Sequence, residues 1–440
     1  MLFGGFGRGV GVLLAVSMML IAMPAAAGTK AVPRHSAQAA GEAKHAMQET
    51  STHMPRILPQ EAMPEAVLLR WAPVSGAVRY AVRVLRAEPD GHMSVLETME
   101  RVYTTGLHLP LLEYGAAEDL YWTVQPLDYD GVPIGPASEP RPVRGETAQP
   151  PAPVLTAEYG EMPYAPLYPV YSWIPLAGQR HHEVEVYRRA ADADHYLHTL
   201  QAGEYDVYDE MPFTEPGTYL YRVRGVTQEG EPLSAWSDYG AFTVAEPVPI
   251  AALGDSITHG GGAISSSPAF LEYSYTTYLP FACLNLGRSG DTAHTTLERF
   301  EQDVLPLHPA NLLILTGSNS LRATGITAQD IIDDLDELQK KCLAHDIRPI
   351  FLTLLPLNPE RIALAFHSET DLSWRWKMTA VNMWIRSQDF YIDIEPYFYD
   401  AQKYNLDPRL STDGLHPDID GKRMMAEVIN QHRDVFQELP

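Results

Sequence analysis

The sequence predicts a multidomain chain: two all-β sandwich domains followed by a three-layer α/β domain on a doubly wound parallel sheet. Three observations carry this expectation. Residues 58–246 are short alternating segments broken by Pro and Gly, an internal repeat runs through them, and past Pro247 and Pro249 the texture changes to apolar runs separated by helical patterns. At 440 residues, 45% hydrophobic and 20% charged, the chain is too long for one core and too apolar for disorder.

Charge and cysteine usage exclude several classes. With 32 basic against 56 acidic side chains and a net charge of -24, no basic face is concentrated for phosphate, so no nucleic-acid partner is expected. The two cysteines, Cys283 and Cys342, are too few for a disulfide scaffold and form no CxxC pair. Two buried thiols are expected. No His, Asp or Glu cluster has metal-ligand spacing and no Gly-rich phosphate loop occurs, so neither metal nor cofactor is expected.

The elements follow in order. Residues 1–27 carry Arg8, an apolar run at 10–23, then Pro24, Ala25, Ala26 and Ala27, the pattern of a secretory signal cut after Ala27. Export to the periplasm or beyond is the expectation. The run is shorter than the ~20 residues a membrane span needs, and no later stretch qualifies, so no span is expected after cleavage. Residues 28–57 read as a disordered tether of Ala, Gln, Glu, His and Thr.

Two sandwich units are expected at 58–147 and 148–246. Residues 80–86 (YAVRVLR) and 183–187 (EVEVY) alternate as half-buried strands do. Trp71, Pro73 and Gly76 recur as Trp173, Pro175 and Gly178; later, Trp122, Val124, Gly131, Pro133 and Ser138 recur as Tyr221, Val223, Gly230, Pro232 and Ser237. With an early Trp, a late Tyr-rich strand and Ser234-Ala235-Trp236-Ser237 near the end, the units resemble fibronectin type III domains. Such domains serve as spacers or as binding modules, and both readings stand. Tyr159, Tyr164, Tyr168 and Tyr171 are either core or a surface for stacking on sugar rings.

The third domain, 247–440, has candidate strands at 250–253, 282–286, 311–315, 349–354 and 390–394, with helical patterns at 271–279, 293–305, 327–345, 374–387 and 421–436. Its ligand crevice is expected beyond the carboxyl ends of the strands. The first strand ends in Gly254-Asp255-Ser256, which exposes a serine there. Ser411-Thr412-Asp413-Gly414-Leu415-His416 precedes the last helix, and an Asp three residues ahead of a His can orient its ring as a general base. The second strand leads to Gly290 and the third to Gly317-Ser318-Asn319, a backbone amide and a neutral carboxamide that can donate to an oxyanion. Singly, a turn serine, a capping Asp, a Gly turn and an Asn cap are ordinary.

Together these four blocks resemble the SGNH or GDSL hydrolase family over residues 248–440. The resemblance implies Ser256 as nucleophile, His416 as base, Asp413 as its partner, and an oxyanion hole from the Ser256 amide, the Gly290 amide and Asn319. It departs at Ser320, where the family's third block carries an Asp that braces the loop. The expected activity is that of an exported serine esterase, acting on short acyl esters of a polymeric carbohydrate by analogy with other exported enzymes carrying β-modules. Lipid esterase, lysophospholipase or thioesterase activity would use the same residues. An acyltransferase, or a non-catalytic carbohydrate-binding or adhesion protein on the same fold, is the competing class.

His259 and His294 are expected as solvated loop residues, and Asp255 and Asp291 as braces of their loops. Trp374, Trp376 and Trp384 recur at helical spacing, so at least one is expected in the core. The loop 358–373 is expected to shape the pocket.

Overall fold

Alternation of side chains builds the first half of the chain into two antiparallel sandwiches. The computed structural model describes residues 55, 61–63, 66–114, 118–144, 152–263 and 266–437. The expected leader at 1–27, and the expected tether at 28–57 apart from residue 55, lie outside these residues. The first sandwich contains β1 (Glu61–Met63), β2 (Ala66–Arg70), β3 (Arg79–Ala87), β4 (Met93–Val102), β5 (Gly106–Pro110), β6 (Leu120–Leu127) and β7 (Arg141–Pro142). The second contains β8 (Val154–Leu155), β9 (Val170–Ile174), β10 (His181–Arg189), β11 (Asp194–Ala202), β12 (Asp206–Tyr208), β13 (Gly217–Val226) and β14 (Gly240–Val244). Strand orders β1-β2-β5 and β4-β3-β6-β7 in the first are matched by β8-β9-β12 and β11-β10-β13-β14 in the second.

The repeat read in the sequence is therefore a repeat of packing. Trp71 and Trp122 in one core correspond to Trp173 and Tyr221 in the other, all buried. Ser138 and Ser237 do the same local work. Each donates its own N–H to a strand carbonyl (Val124 and Val223, both at 2.8 Å) while its hydroxyl accepts that residue's N–H, at 3.1 and 3.0 Å. On β10, Val184 and Val186 point inward. The intervening Glu183 and Glu185 face Arg224 and Arg222 across the ladder, and Trp236 lies 4.4 Å from both guanidinium carbons.

The third domain is a parallel sheet of β15 (Ile250–Gly254), β16 (Leu284–Gly287), β17 (Asn311–Leu315), β18 (Arg348–Leu352) and β19 (Tyr391–Ile392), in the order β16-β15-β17-β18-β19. β15, β16 and β17 are buried throughout, as strands covered on both faces must be. The order reverses at β15, so a crevice opens beyond its carboxyl end. Around the sheet lie α1 (Ser256–His259), α2 (Ala293–Glu298), α3 (Phe300–Asp303), α4 (Ser318–Arg322), α5 (Ala328–Ala344), α6 (Pro359–Phe366), α7 (Trp374–Ile385) and α8 (Ile419–Gln431). The stripe Ile331, Leu335, Leu338 and Cys342 fixes α5 to the sheet.

Two helical expectations and one loop expectation need correction. Residues 271–279 form two short 3₁₀ turns, because the Thr277 hydroxyl competes for the backbone, its Oγ1 donating to the carbonyls of Leu271 and Ser274. The pattern at 293–305 breaks at Arg299, whose side chain turns inward. The loop 358–373 contains α6, started by Asn358, which accepts the Arg361 N–H, with Pro359 at the first helical position.

The sandwich and the α/β domain exchange core residues. Leu167 and Tyr168 from the second sandwich pack into the α/β core, while Ala269 packs into the sandwich core. Tyr168 donates to both oxygens of Asp303, at 3.0 and 2.9 Å, and Arg299 holds Asp303 and Asp291 while donating to the Gly254 carbonyl at 2.8 Å. Among the described residues no helix is long and apolar enough to cross a membrane.

Candidate active site

The strand ends deliver their residues to one point. Gly254 closes β15, where a Cβ would stand 2.1 Å from the Leu315 carbonyl oxygen, so only glycine lets the chain turn there. Asp255 then caps α1 by accepting the Ile257 N–H at 3.0 Å, and it also accepts the Ser318 N–H at 3.3 Å. Ser256 is the first residue of α1, so its N–H has no intrahelical partner. Burial raises the Asp255 carboxyl to about 6.

Ser256 Oγ lies 2.8 Å from His416 Nε2, and His416 Nδ1 lies 2.7 Å from Asp413 Oδ2. Asp413 is 1% exposed. Burial pushes its carboxyl up, but His416 and the N–H groups of Leu415 and His416, both 2.8 Å from Oδ1, bring it below the ordinary carboxylate value. An ionised carboxylate accepts and does not donate, so Nδ1 carries the hydrogen and Nε2 offers its lone pair to the serine hydroxyl. That arrangement can take a proton from Ser256.

The donors expected from the other blocks line the same 210 Å³ pocket, which Ser256, Gly290, Asn319 and His416 share. Gly290 adopts φ +92°, and among the described residues its N–H has no hydrogen-bond partner. Asn319 Nδ2 donates one hydrogen to the Asp291 carbonyl at 2.9 Å, which leaves the second on the same nitrogen. At the position of the departure, Ser320 Oγ accepts the Ala293 N–H at 3.1 Å and braces the loop as a neutral substitute.

Asp291 accepts from Arg299 Nε at 2.5 Å and from Thr295 at 3.1 Å, so it is the brace expected of it, as is Asp255. His294 is exposed and paired with Asp334. His259 corrects its expectation: it is 1% exposed. Its Nε2 donates to the Tyr168 carbonyl at 2.7 Å, so Nδ1 accepts from the Ser289 hydroxyl and N–H. Burial lowers its imidazole to about 4, which keeps it neutral. Trp374 is core and Trp376 is exposed; Cys283 and Cys342 are free buried thiols.

Several residues were not anticipated. Lys422 is fully buried and donates to the Ile257 carbonyl in α1 at 2.7 Å; burial lowers its ammonium to about 7. Its signal was present, since Ile419, Lys422, Ala426 and Ile429 share the buried stripe of α8. Phe366 of α6 lies edge-on to His416, with ring centroids 5.9 Å apart, and Arg322 sits over Phe366. Tyr208, from β12 of the second sandwich, reaches the pocket, and nothing local in its sequence announces that. Among the described residues no group of three or more His, Cys, Asp or Glu is placed to hold a metal ion.

Residues 252–424 match the family model described as GDSL-like Lipase/Acylhydrolase. Among solved structures, the chain is similar to a GDSL-like lipase from Bacteroides thetaiotaomicron (22% identity, 43% of this chain and 88% of that one, TM-score 0.34). It is similar also to the lipase/acylhydrolase from Enterococcus faecalis (20%, 43% and 98%, TM-score 0.34). A catalytic mutant of an acetylxylan esterase from Geobacillus stearothermophilus matches at 17% identity over 44% of this chain and 96% of that one, TM-score 0.33. No curated protein matches the sequence. The carboxyl-terminal domain thus belongs to the GDSL-like lipase/acylhydrolase family and is a carboxylic ester hydrolase.

Proposed function

We propose that the protein is an exported serine esterase that removes short acyl groups from a carbohydrate through Ser256, His416 and Asp413. The observation that carries this reading is the continuous hydrogen-bonded line from Ser256 Oγ through His416 to Asp413, with steps of 2.8 and 2.7 Å. His416 Nε2 takes the Ser256 proton as Oγ attacks the ester carbonyl, and the negative charge on the former carbonyl oxygen is met by the Ser256 N–H, the Gly290 N–H and Asn319 Nδ2. The C–O bond to the alcohol then breaks, and His416 returns the proton to the departing oxygen. Water, deprotonated by the same nitrogen, attacks the acyl-serine and releases the acid.

A pocket of 210 Å³ lies below the ~300 Å³ at which drug-sized ligands begin to fit, which supports a short acyl group. Units 58–147 and 148–246 are proposed as fibronectin type III-like domains, 247–440 as the hydrolase domain and 1–27 as a cleaved leader. The decisive experiment is turnover of p-nitrophenyl acetate by the purified full chain and its Ser256→Ala variant. The wild type is expected to hydrolyse it and the variant to be inactive; equal activity refutes the assignment.

A further inference from the structure

Beside the serine pocket lies a larger cleft of 680 Å³ whose walls come from all three domains, and the two share Tyr208, Gly262, Ser266, Phe366 and His416. Its far wall holds Tyr103 of the first sandwich and Tyr205 of the second. Both precede the same strand of the repeat, β5 in one unit and β12 in the other, and their rings meet at 6.2 Å. A third cavity of 580 Å³ between the sandwiches touches the same two rings. The backbone holds them in place, since the Tyr205 carbonyl accepts the Trp173 N–H at 3.0 Å and the Thr105 carbonyl accepts the Trp71 N–H at 3.0 Å.

The lining selects a ligand class. Among the described residues that form the cleft there is no Leu, Ile, Val or Met, the side chains a fatty acyl chain would need. There is no Lys or Arg either, so an anionic ligand finds no counter-charge. Aromatic rings, Ser and Thr hydroxyls, the His416 imidazole, small Gly and Ala residues and one carboxylate remain. Among the described residues that carboxylate, Asp206, has no side-chain hydrogen-bond partner and no cation beside it, and desolvation raises it to about 6. A half-buried acceptor without a partner, in a cleft lined by aromatic rings, suits a neutral ligand that carries both apolar faces and hydroxyl donors.

Resting on the esterase reading above, we propose that this cleft is the subsite for the alcohol side of the substrate, a neutral oligosaccharide whose rings lie against Tyr205 and Tyr208 and whose hydroxyls donate to Asp206. The two sandwiches are then part of the binding site and not spacers alone.

The test uses the full chain carrying Ser256→Ala, so that binding is measured without turnover. Xylohexaose, cellohexaose and mannohexaose are titrated calorimetrically, with acetylcholine as the cationic ligand an acidic aromatic site would otherwise take. At least one hexasaccharide is expected to bind, with Asp206→Asn and Tyr205→Ala each weakening it about tenfold or more. Asp206→Asn removes a half-buried carboxylate that has no cation beside it and is expected to raise the melting temperature of the free protein while lowering affinity, opposite signs that a structural role would not produce. With Ser256 restored, kcat/KM for an acetylated oligosaccharide should fall further than that for p-nitrophenyl acetate. Binding of no hexasaccharide, binding of acetylcholine alone, or affinities untouched by both variants overturns the proposal. The esterase reading fails separately, if Ser256→Ala keeps its activity.

Discussion

Asn319→Ala separates the chemistry of the site from its architecture. In the structure one Nδ2 hydrogen goes to the Asp291 carbonyl at 2.9 Å, and the other is the proposed oxyanion donor. Loss of a side-chain donor of this kind costs about 2.7–4 kcal/mol in the transition state, or about 100- to 1000-fold in kcat. Loss of the bond to Asp291 costs about 1 kcal/mol of folding stability. The assay is steady-state hydrolysis of p-nitrophenyl acetate, with the acyl-enzyme burst counting competent sites and thermal melts reporting the fold. The expected variant keeps a burst, turns over two to three orders of magnitude more slowly and melts slightly earlier. Asn319→Asp keeps the shape but offers only acceptors and adds a negative charge, so it should be at least as slow. A folded Asn319→Ala chain with the wild-type rate would refute the oxyanion role.

Tyr168→Phe removes the hydroxyl that bonds Asp303; at about 1.5–3 kcal/mol for a bond to a charged group, urea unfolding should detect the loss. His259, lowered to about 4 against 6.5 when unfolded, lets the unfolded chain bind more protons between those values, so its stability is present above about 6.5 and lost as pH falls toward 4. The difference is about 3 kcal/mol, and melts from pH 7 to pH 4 should show a smaller decline in His259→Gln, whose amide can donate and accept but does not titrate. Gly254→Ala puts a methyl 2.1 Å from the Leu315 carbonyl, so backbone must move, and the soluble yield and melting temperature should both fall sharply.

Sequence legibility followed the range of each signal. The five strands were readable because buried parallel strands are continuous apolar runs, and Ser256, Gly290, Asn319, Asp413 and His416 because each sits beside a strand or helix end whose punctuation is local. The repeat was readable because the same Trp and Ser positions perform the same packing twice. The helix at 359–366 carries a start signal in Asn358-Pro359 but was not legible as a helix, since it is eight residues long and buries Ile362 alone, too little for an apolar period. His259 was misread because its partners, Tyr168 and Ser289, lie 91 and 30 residues away. Tyr208 reaches the serine pocket, and Asp206 the adjoining cleft, through the docking of a separate fold, and no period or spacing in the sequence records such docking.

The exchange of core residues bears on how this chain can be altered by recombination. Leu167 and Tyr168 act as a plug seated in the neighbouring body, and Ala269 as a smaller plug seated the other way. A crossover at the proline linker that brought in an unrelated module would leave an empty socket in the hydrolase and a void in its new companion. Inheritance of the pair as one cassette follows from the packing, whatever the boundary drawn between them.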